Sequence, residues 1–275
     1  MLGNGLFGGA NPVDITGYYT ALNLDDSINE WARYDIGEDN IPLNANNGSV
    51  TKVVSFWHKS NNAIEEDQNL QRVMANEGTT NDYIYLDFTT EAPGGVWDTT
   101  RTFNFRFRQS TSAPASGGNW NWDTGVSVTD SDWHHYCIHI TLTQGGFVGN
   151  FRATLYVDGV SKGESALTGP LVYGAFVQID AEYIGFGRAI DNTVVYSDFC
   201  VGQFAVYEIA KTDFNINDFY FNGAVNLGTD GRQGTTQLLN TPLIYITFNY
   251  PFSSDLELFE GTSSVSFADD NKCNT

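Results

Sequence analysis

Two groups of neighbouring carboxylates are the first candidates for chemistry, because a pair of carboxylic acids can hydrolyse a glycosidic bond. Asp180 and Glu182 stand two residues apart, and the run Glu-Glu-Asp occupies positions 65–67. In a strand, Asp180 and Glu182 share a face with Gln178, opposite apolar neighbours, which is typical of a solvated outer face. The 65–67 run lies in a polar, loop-like stretch. We therefore expect no catalytic residues and a protein that is not an enzyme, with glycoside hydrolysis as the remaining alternative.

Tryptophans next to amides and carboxylates indicate a second kind of chemistry. A Trp-Asn-Trp-Asp run at 120–123 follows a Gly/Ser-rich stretch, and Trp97 follows Pro-Gly-Gly. Sugar rings bind to an apolar platform with a hydrogen-bonding rim. Trp97 directly follows a predicted Gly-rich loop, and the run at 120–123 lies in another. The predicted glycan-binding residues are Trp97, Asn119, Trp120, Trp122 and Asp123. The alternative is that these tryptophans close the ends of the fold or lie at a subunit contact.

Three further tryptophans and a set of possible metal ligands are expected to have structural roles only. Trp31, Trp57 and Trp133 lie within strand-like sequence and are predicted to be core residues. His135, Cys137 and His139 share one face of a predicted strand, and such a ladder is able to bind zinc. We expect no metal there.

The composition excludes several classes of protein. The chain has 275 residues, and 13 Lys and Arg against 33 Asp and Glu give a net charge of −20. A surface this acidic repels phosphate, so no nucleic-acid partner is expected. Hydrophobic residues make up 41% of the chain, enough for a sizeable core. The wide spacing of Cys137, Cys200 and Cys273 predicts buried free thiols for the first two.

The ends of the sequence are predicted to be tails around one domain. Residues 1–16 form a Gly-rich arm, residues 17–267 the domain and residues 268–275 a tail. No signal peptide and no membrane span are expected. Leu2, Leu6 and Phe7 are the arm's candidate assembly residues.

Apolar and polar residues alternate along most of the chain, which predicts strands. In the segment 102–108, three phenylalanines share one face while Asn104, Arg106 and Arg108 share the other. Asp158-Gly159 predicts a type I′ hairpin turn. One short helix is predicted from a cap at Asn215 to Gly223. The expected fold is all-β, an antiparallel β-sandwich with one short helix.

The order of these segments resembles the laminin-G-like, concanavalin-A-like jelly-roll family over residues 18–260. The motifs are Leu-Asn-Leu-Asp-Asp-Ser at 22–27, Val-Ser-Phe-Trp-His-Lys at 54–59, Asp-Trp-His-His-Tyr at 132–136, Leu-Tyr-Val-Asp-Gly at 155–159 and Tyr-Ile-Gly-Phe-Gly at 183–187. The resemblance implies lectin-like, adhesion, glycosidase-associated or virion roles. Glucanases of this fold carry Glu-x-Asp-x-Glu on one strand, a pattern absent here, and the Trp-His-His motif recurs in the family without zinc. Some members bind calcium at the rim of the sandwich, which implies a calcium alternative at Asp82, Asp191, Asp198 or Asp230.

Composition and resemblance together predict a non-enzymatic structural or adhesion protein of a virus particle. A tailed-phage capsid decoration, head-fibre or tail-associated protein would be assembled in the host cytoplasm, with other virion proteins as partners. A homo-oligomer is expected, a trimer first. The alternative is a carbohydrate-binding, lectin-like module that binds a cell-surface glycan.

Overall fold

The structure is a computed structural model that describes the strands and several connections of the chain. The described residues are 21–25, 29–36, 50–60, 70–77, 83–91, 97–108, 119–128, 132–145, 148–165, 171–172, 183–188, 198–209, 212–220, 243–246, 248, 255–260 and 263–266. Nearly all of them form antiparallel strands, so the predicted all-β fold is confirmed. No helix within these ranges is long and apolar enough to cross a membrane.

The first sheet, sheet I, contains eight of the described strands. Its path runs β1-β13-β3-β8-β9-β10, with β11 pairing to β9 and β14 to β13. The bounds are β1 Leu22–Leu24, β3 Val50–Ser60, β8 His134–Gly145, β9 Val148–Val157, β10 Val160–Glu164, β11 Leu171–Val172, β13 Phe199–Glu208 and β14 Ile244–Ile246.

The second sheet, sheet II, also contains eight of the described strands, in the order β16-β15-β2-β12-β4-β5-β6-β7. The bounds are β2 Glu30–Asp35, β4 Leu70–Glu77, β5 Tyr83–Glu91, β6 Trp97–Arg108, β7 Asn119–Val128, β12 Tyr183–Phe186, β15 Leu256–Glu260 and β16 Ser263–Val265. Three pairs of neighbours in this order are distant in sequence, as in β2 beside β12, so the tertiary fold decides which of their side chains meet.

The main core lies between the inner faces of the two sheets. Alternate residues of β3 and β8 from sheet I meet alternate residues of β5 and β6 from sheet II. Phe56, Phe103 and Tyr136 form its aromatic centre, with ring centroids 5.4–6.3 Å apart. Burial of apolar surface is the dominant favourable term in folding, and large aromatic side chains such as these contribute the most area each.

A second apolar layer covers the outer face of sheet I. Val53, Cys137 and Tyr207 pack beneath Phe219, which belongs to the segment that follows β13. The short helix predicted at 215–223 is here a 3₁₀ turn over Ile216–Asp218. Asn215 caps it as predicted, because its side-chain oxygen accepts a hydrogen bond from the Asn217 N–H, 3.1 Å away. Packing of its aromatic residues on the sheet holds this turn in place of a longer helix.

The cysteine prediction was right for one residue and wrong for another. Cys137 is a buried free thiol, and burial raises its pKa far above the usual range. Cys200 is disulfide-bonded, with its bonding partner outside the described residues. An odd number of widely spaced cysteines carried no sign of this pairing, because disulfides depend on spatial proximity.

Candidate functional site

The outer face of sheet II near its β7 edge carries a row of polar residues from three strands. Leu86, Phe103 and Phe105 are fully buried in the core, so their sequence neighbours occupy the opposite face. In the register, Asp87 lies opposite Asn104, which in turn lies opposite Asp123. Three polar positions therefore follow one another across β5, β6 and β7, of which Asp87 is fully buried and Asp123 half-buried.

Two further rows continue this face, and each has the same composition. The first contains Tyr85, Arg106 and Asn121, and the second contains Tyr83, Arg108 and Asn119. In each row a tyrosine, an arginine and an asparagine thus occupy facing register positions on adjacent strands. Among the predicted glycan-binding residues, Asn119 and Asp123 occupy this outer face.

Trp122 of β7 packs against the core of the fold. Trp122 lies opposite Phe105 in the register, is half-buried and packs against the main core. Trp120 occupies the alternate position opposite Phe107. Trp97 begins β6, directly after the predicted loop at 92–96. The predicted loop placement was wrong for the other four glycan candidates, which lie in β7.

A bulge explains why β7 has the sequence of a loop. Gly125 has a φ of +66°, and its N–H donates to Asp123 Oδ1 over 3.0 Å. Thr124 Oγ1 donates to the Phe103 carbonyl over 2.8 Å and so holds the bulge against β6. Residues that normally favour turns are therefore used within a paired strand.

The other end of this face is a closed cluster of arginine and aromatic rings. The Arg33 guanidinium lies 4.4 Å from the Tyr183 ring centroid and 5.0 Å from that of Phe259, and it pairs with Glu257 at 2.6 Å. Trp31 stacks on Phe259 with centroids 4.3 Å apart. Only 6% of Trp31 is exposed, so this cluster holds β2, β12 and β15 together and offers no open aromatic surface.

The predicted ladder of His135, Cys137 and His139 lies on the outer face of sheet I, below the 3₁₀ segment. His139 stacks on Phe214 with ring centroids 4.3 Å apart, and His135 lies 5.6 Å from the Tyr220 ring. Nowhere in the described ranges do three His, Cys, Asp or Glu side chains come together as metal ligands.

A serine and a histidine form a buried pair beside that ladder. Ser55 Oγ lies 2.8 Å from His135 Nε2, and both residues are fully buried. His135 Nδ1 has no hydrogen-bond partner in the described part of the chain, where a catalytic triad would place a carboxylate. Burial lowers the pKa of His135 to about 3, against an opposing effect of Asp158, so the imidazole is neutral. The pair joins β3 to β8, and the Tyr220 ring lies over the imidazole.

The hairpin turn after β9 is the predicted one and is tied to β8. Asp158 and Gly159 have φ values of +51° and +76°, as a type I′ turn requires. Asp158 Oδ1 accepts a hydrogen bond from the His135 backbone N–H, and its Oδ2 lies 2.6 Å from His134 Nδ1. The turn therefore anchors the start of β8.

Several sequence predictions fall on residues that the structure does not describe. These are the carboxylates at 65–67, Asp180 and Glu182, the calcium candidates Asp82, Asp191 and Asp230, and the assembly candidates Leu2, Leu6 and Phe7. Asp198, the fourth calcium candidate, immediately precedes β13.

The chain is similar to parts of several solved structures. Domains LG4-5 of the mouse laminin α1 chain match with 14% identity and a TM-score of 0.38, covering 74% of this chain and 46% of that one. The carbohydrate-binding module of a Ruminococcus gnavus sialidase, solved with α2,6-sialyllactose, matches with 10% identity and a TM-score of 0.38, over 74% of this chain and 97% of that one. The enzymatically active domain of tailspike protein 2 from bacteriophage CBA120 matches with 9% identity and a TM-score of 0.38, over 79% and 32%.

No protein-family model matches the sequence, and no curated protein does.

Proposed function

We propose that the protein is a non-enzymatic binding module that recognises a carbohydrate on the outer face of β5, β6 and β7. The observation that carries the proposal is the register that places the half-buried Asp123 of β7 opposite position 104 of β6, beside the fully buried Asp87 of β5. Sugar hydroxyls need closely spaced donors and acceptors, which amides and carboxylates on a rigid sheet provide. Asn119 and Asn121 extend the same polar face toward the end of the sheet.

The charge and the buried polar groups support a binding role over the alternatives. A net charge of −20 disfavours a nucleic-acid ligand. The Ser55–His135 pair is sealed below the 3₁₀ segment, and it lies on the other sheet from the proposed face. Chemistry on a bound sugar is therefore not part of the proposal.

A glycan array with a paired set of variants tests this function. The wild-type protein is expected to bind a defined set of glycans, and the double variant Asn119→Ala/Asn121→Ala is expected to lose at least tenfold in affinity. Lys162→Ala is the matched control, because Lys162 is exposed on β10 of sheet I. Absence of glycan binding, or equal binding by both variants, would overturn the proposal.

The proposed setting is the surface of a virus particle, where the domain acts as a capsid decoration, head-fibre or tail-associated protein. The support is compositional: 28 glycines, only 13 basic residues and a strongly acidic balance resemble phage surface proteins. Antibody detection on purified particles, compared with an uninfected host lysate, tests this setting. Detection in the lysate and absence from particles would contradict it.

A further inference from the structure

The chain has three cysteines, and two of them are in different chemical states. Cys137 is a free thiol, whereas Cys200 is disulfide-bonded. The third, Cys273, belongs to the C-terminal tail, outside the described residues. With Cys137 free, Cys273 is the one cysteine of the sequence that is left to pair with Cys200.

The register of sheet I excludes a bond between Cys137 and Cys200 on independent grounds. Cys137 lies opposite Ser55 of β3, and Cys200 lies opposite Lys59 on the other side of the same strand. The two cysteines are therefore two strand spacings apart, about 10 Å, and are also offset along the strands by about 13 Å. Bonded cysteines have Cα atoms within roughly 7 Å of each other. Cys137 is thus too far from Cys200 to be its partner.

Cys200 is enclosed on the outer face of sheet I. Its neighbours in β13, Phe199 and Val201, belong to the main core, so Cys200 lies on the opposite face. There it packs in a cluster with Trp57 and Trp133, and it is 0% exposed. A sulfur atom closed off in this way cannot reach a cysteine of a second molecule, so its partner belongs to the same chain.

We propose that Cys200 and Cys273 form an intramolecular disulfide bond that fastens the C-terminal tail to the start of β13. The bond closes a loop of about 70 residues, which includes β14, β15 and β16. A cross-link over a long loop restricts the unfolded chain and so stabilises the folded one. The tail is therefore a covalently attached part of the fold, and this inference is independent of the ligand that the protein binds.

The bond also indicates the surroundings in which the protein acts. It forms when the two thiols exchange with a low-molecular-weight disulfide, which is reduced to two thiols while Cys200 and Cys273 lose their hydrogens and join. Such bonds are rare in a reducing cytoplasm and persist in oxidising surroundings. We therefore expect the bond to form once the chain has left the cytoplasm.

Alkylation of the full-length protein in denaturant tests the pairing directly. Protein purified in air without reductant is unfolded in urea, treated with N-ethylmaleimide and weighed by mass spectrometry. We expect one maleimide adduct, on Cys137, and three adducts after reduction. Digestion without reduction should give one linked pair of peptides, which contain Cys200 and Cys273. Three adducts before reduction, a linked pair that includes Cys137, or a disulfide-linked dimer would overturn the inference.

Thermal unfolding of Cys273→Ser measures how strongly the bond stabilises the fold. Without reductant the variant is expected to melt about 5–15 °C below wild type, and with reductant the two proteins should melt together. Cys137→Ala is the matched control, because it removes the free thiol and keeps the bond, so reductant should lower its melting temperature as much as that of wild type. Equal melting of wild type and Cys273→Ser without reductant would show that the tail is not fastened to the fold and would overturn the inference.

Discussion

At the residue scale, Gly159 is required by both backbone conformation and packing. Its φ is +76°, and a Cβ atom there would lie 2.5 Å from Tyr220 Cδ1. Gly125 has a similar φ of +66° but open space around the corresponding Cβ position. Substitution of Gly125 therefore adds backbone strain alone, whereas substitution of Gly159 adds backbone strain and a steric clash with Tyr220.

We predict that Gly159→Val lowers the free energy of unfolding by about 1–3 kcal/mol. Gly159→Ala should cost more than Gly125→Ala, since only the first meets Tyr220. Urea unfolding of the three variants checks this order. Equal losses for both alanine variants would show that the contact with Tyr220 contributes nothing.

The buried imidazole of His135 makes the stability of the fold depend on pH. The pKa of His135 is about 3 in the folded protein and about 6.5 in the unfolded chain. Between these two pH values the imidazole is therefore protonated in the unfolded chain and neutral in the folded protein. The free energy of unfolding should therefore fall as pH decreases from 6.5 toward 3, by about 1.4 kcal/mol per pH unit from this group.

His135→Gln removes this titration and keeps a polar group beside Ser55. We expect the variant to be less stable at pH 7 and to lose stability less steeply than wild type between pH 6 and 4. Urea unfolding at several pH values measures both slopes, and carboxylate effects common to the two proteins cancel. Parallel slopes would contradict a neutral, buried His135.

At the element scale, β7 combines a core face with a candidate binding face. Trp122 packs against the core while Asp123, one residue on, closes the bulge with the Gly125 N–H. A strand with two such faces explains why tryptophan and asparagine alternate at 119–122.

Trp122→Ala should therefore act on stability and leave ligand selection unchanged. We expect a loss of about 2 kcal/mol, below the usual cost for a fully buried tryptophan because Trp122 is half-buried. Thermal unfolding and the glycan array measure the two effects on one sample. A selective loss of glycan binding with an unchanged melting temperature would restore the exposed-platform interpretation of this tryptophan.

At the scale of the whole molecule, the charge balance affects both stability and assembly. With 33 acidic and 13 basic residues, the folded chain repels itself, and salt screens this repulsion. We predict that the melting temperature rises when NaCl is increased from about 10 to about 300 mM. The Debye length shrinks about fivefold over this range, so repulsion between surface charges is screened. A melting temperature that falls with salt would mean that attractive ion pairs dominate.

Surface proteins of particles act as repeated copies, so we predict a homo-oligomer, a trimer first. Deletion of residues 2–12, which contain Leu2, Leu6 and Phe7, should weaken assembly more than folding. Light scattering and thermal unfolding of the full-length and truncated chains check this prediction. A monodisperse monomer at high concentration, or assembly unchanged by the deletion, would contradict it.

The sequence by itself determined the local features of this protein. Alternation predicted β3, β5, β6 and β8, because burial of one face imposes a period of two on any strand. The Asp158-Gly159 turn was predictable from the positive φ that glycine permits, and the Asn215 cap from its side-chain oxygen. These features depend on residues close together in the chain.

Only the tertiary structure decided which residues share the candidate site. β7 was predicted as a loop, since asparagine, glycine and threonine favour turns when no partner strand is considered. Pairing with β6 satisfies its backbone and aligns Asn119 and Asn121 with Arg108 and Arg106. Long-range pairing of this kind leaves little local pattern, because the energy that stabilises it comes from a neighbouring strand and a shared core rather than from the segment's own sequence.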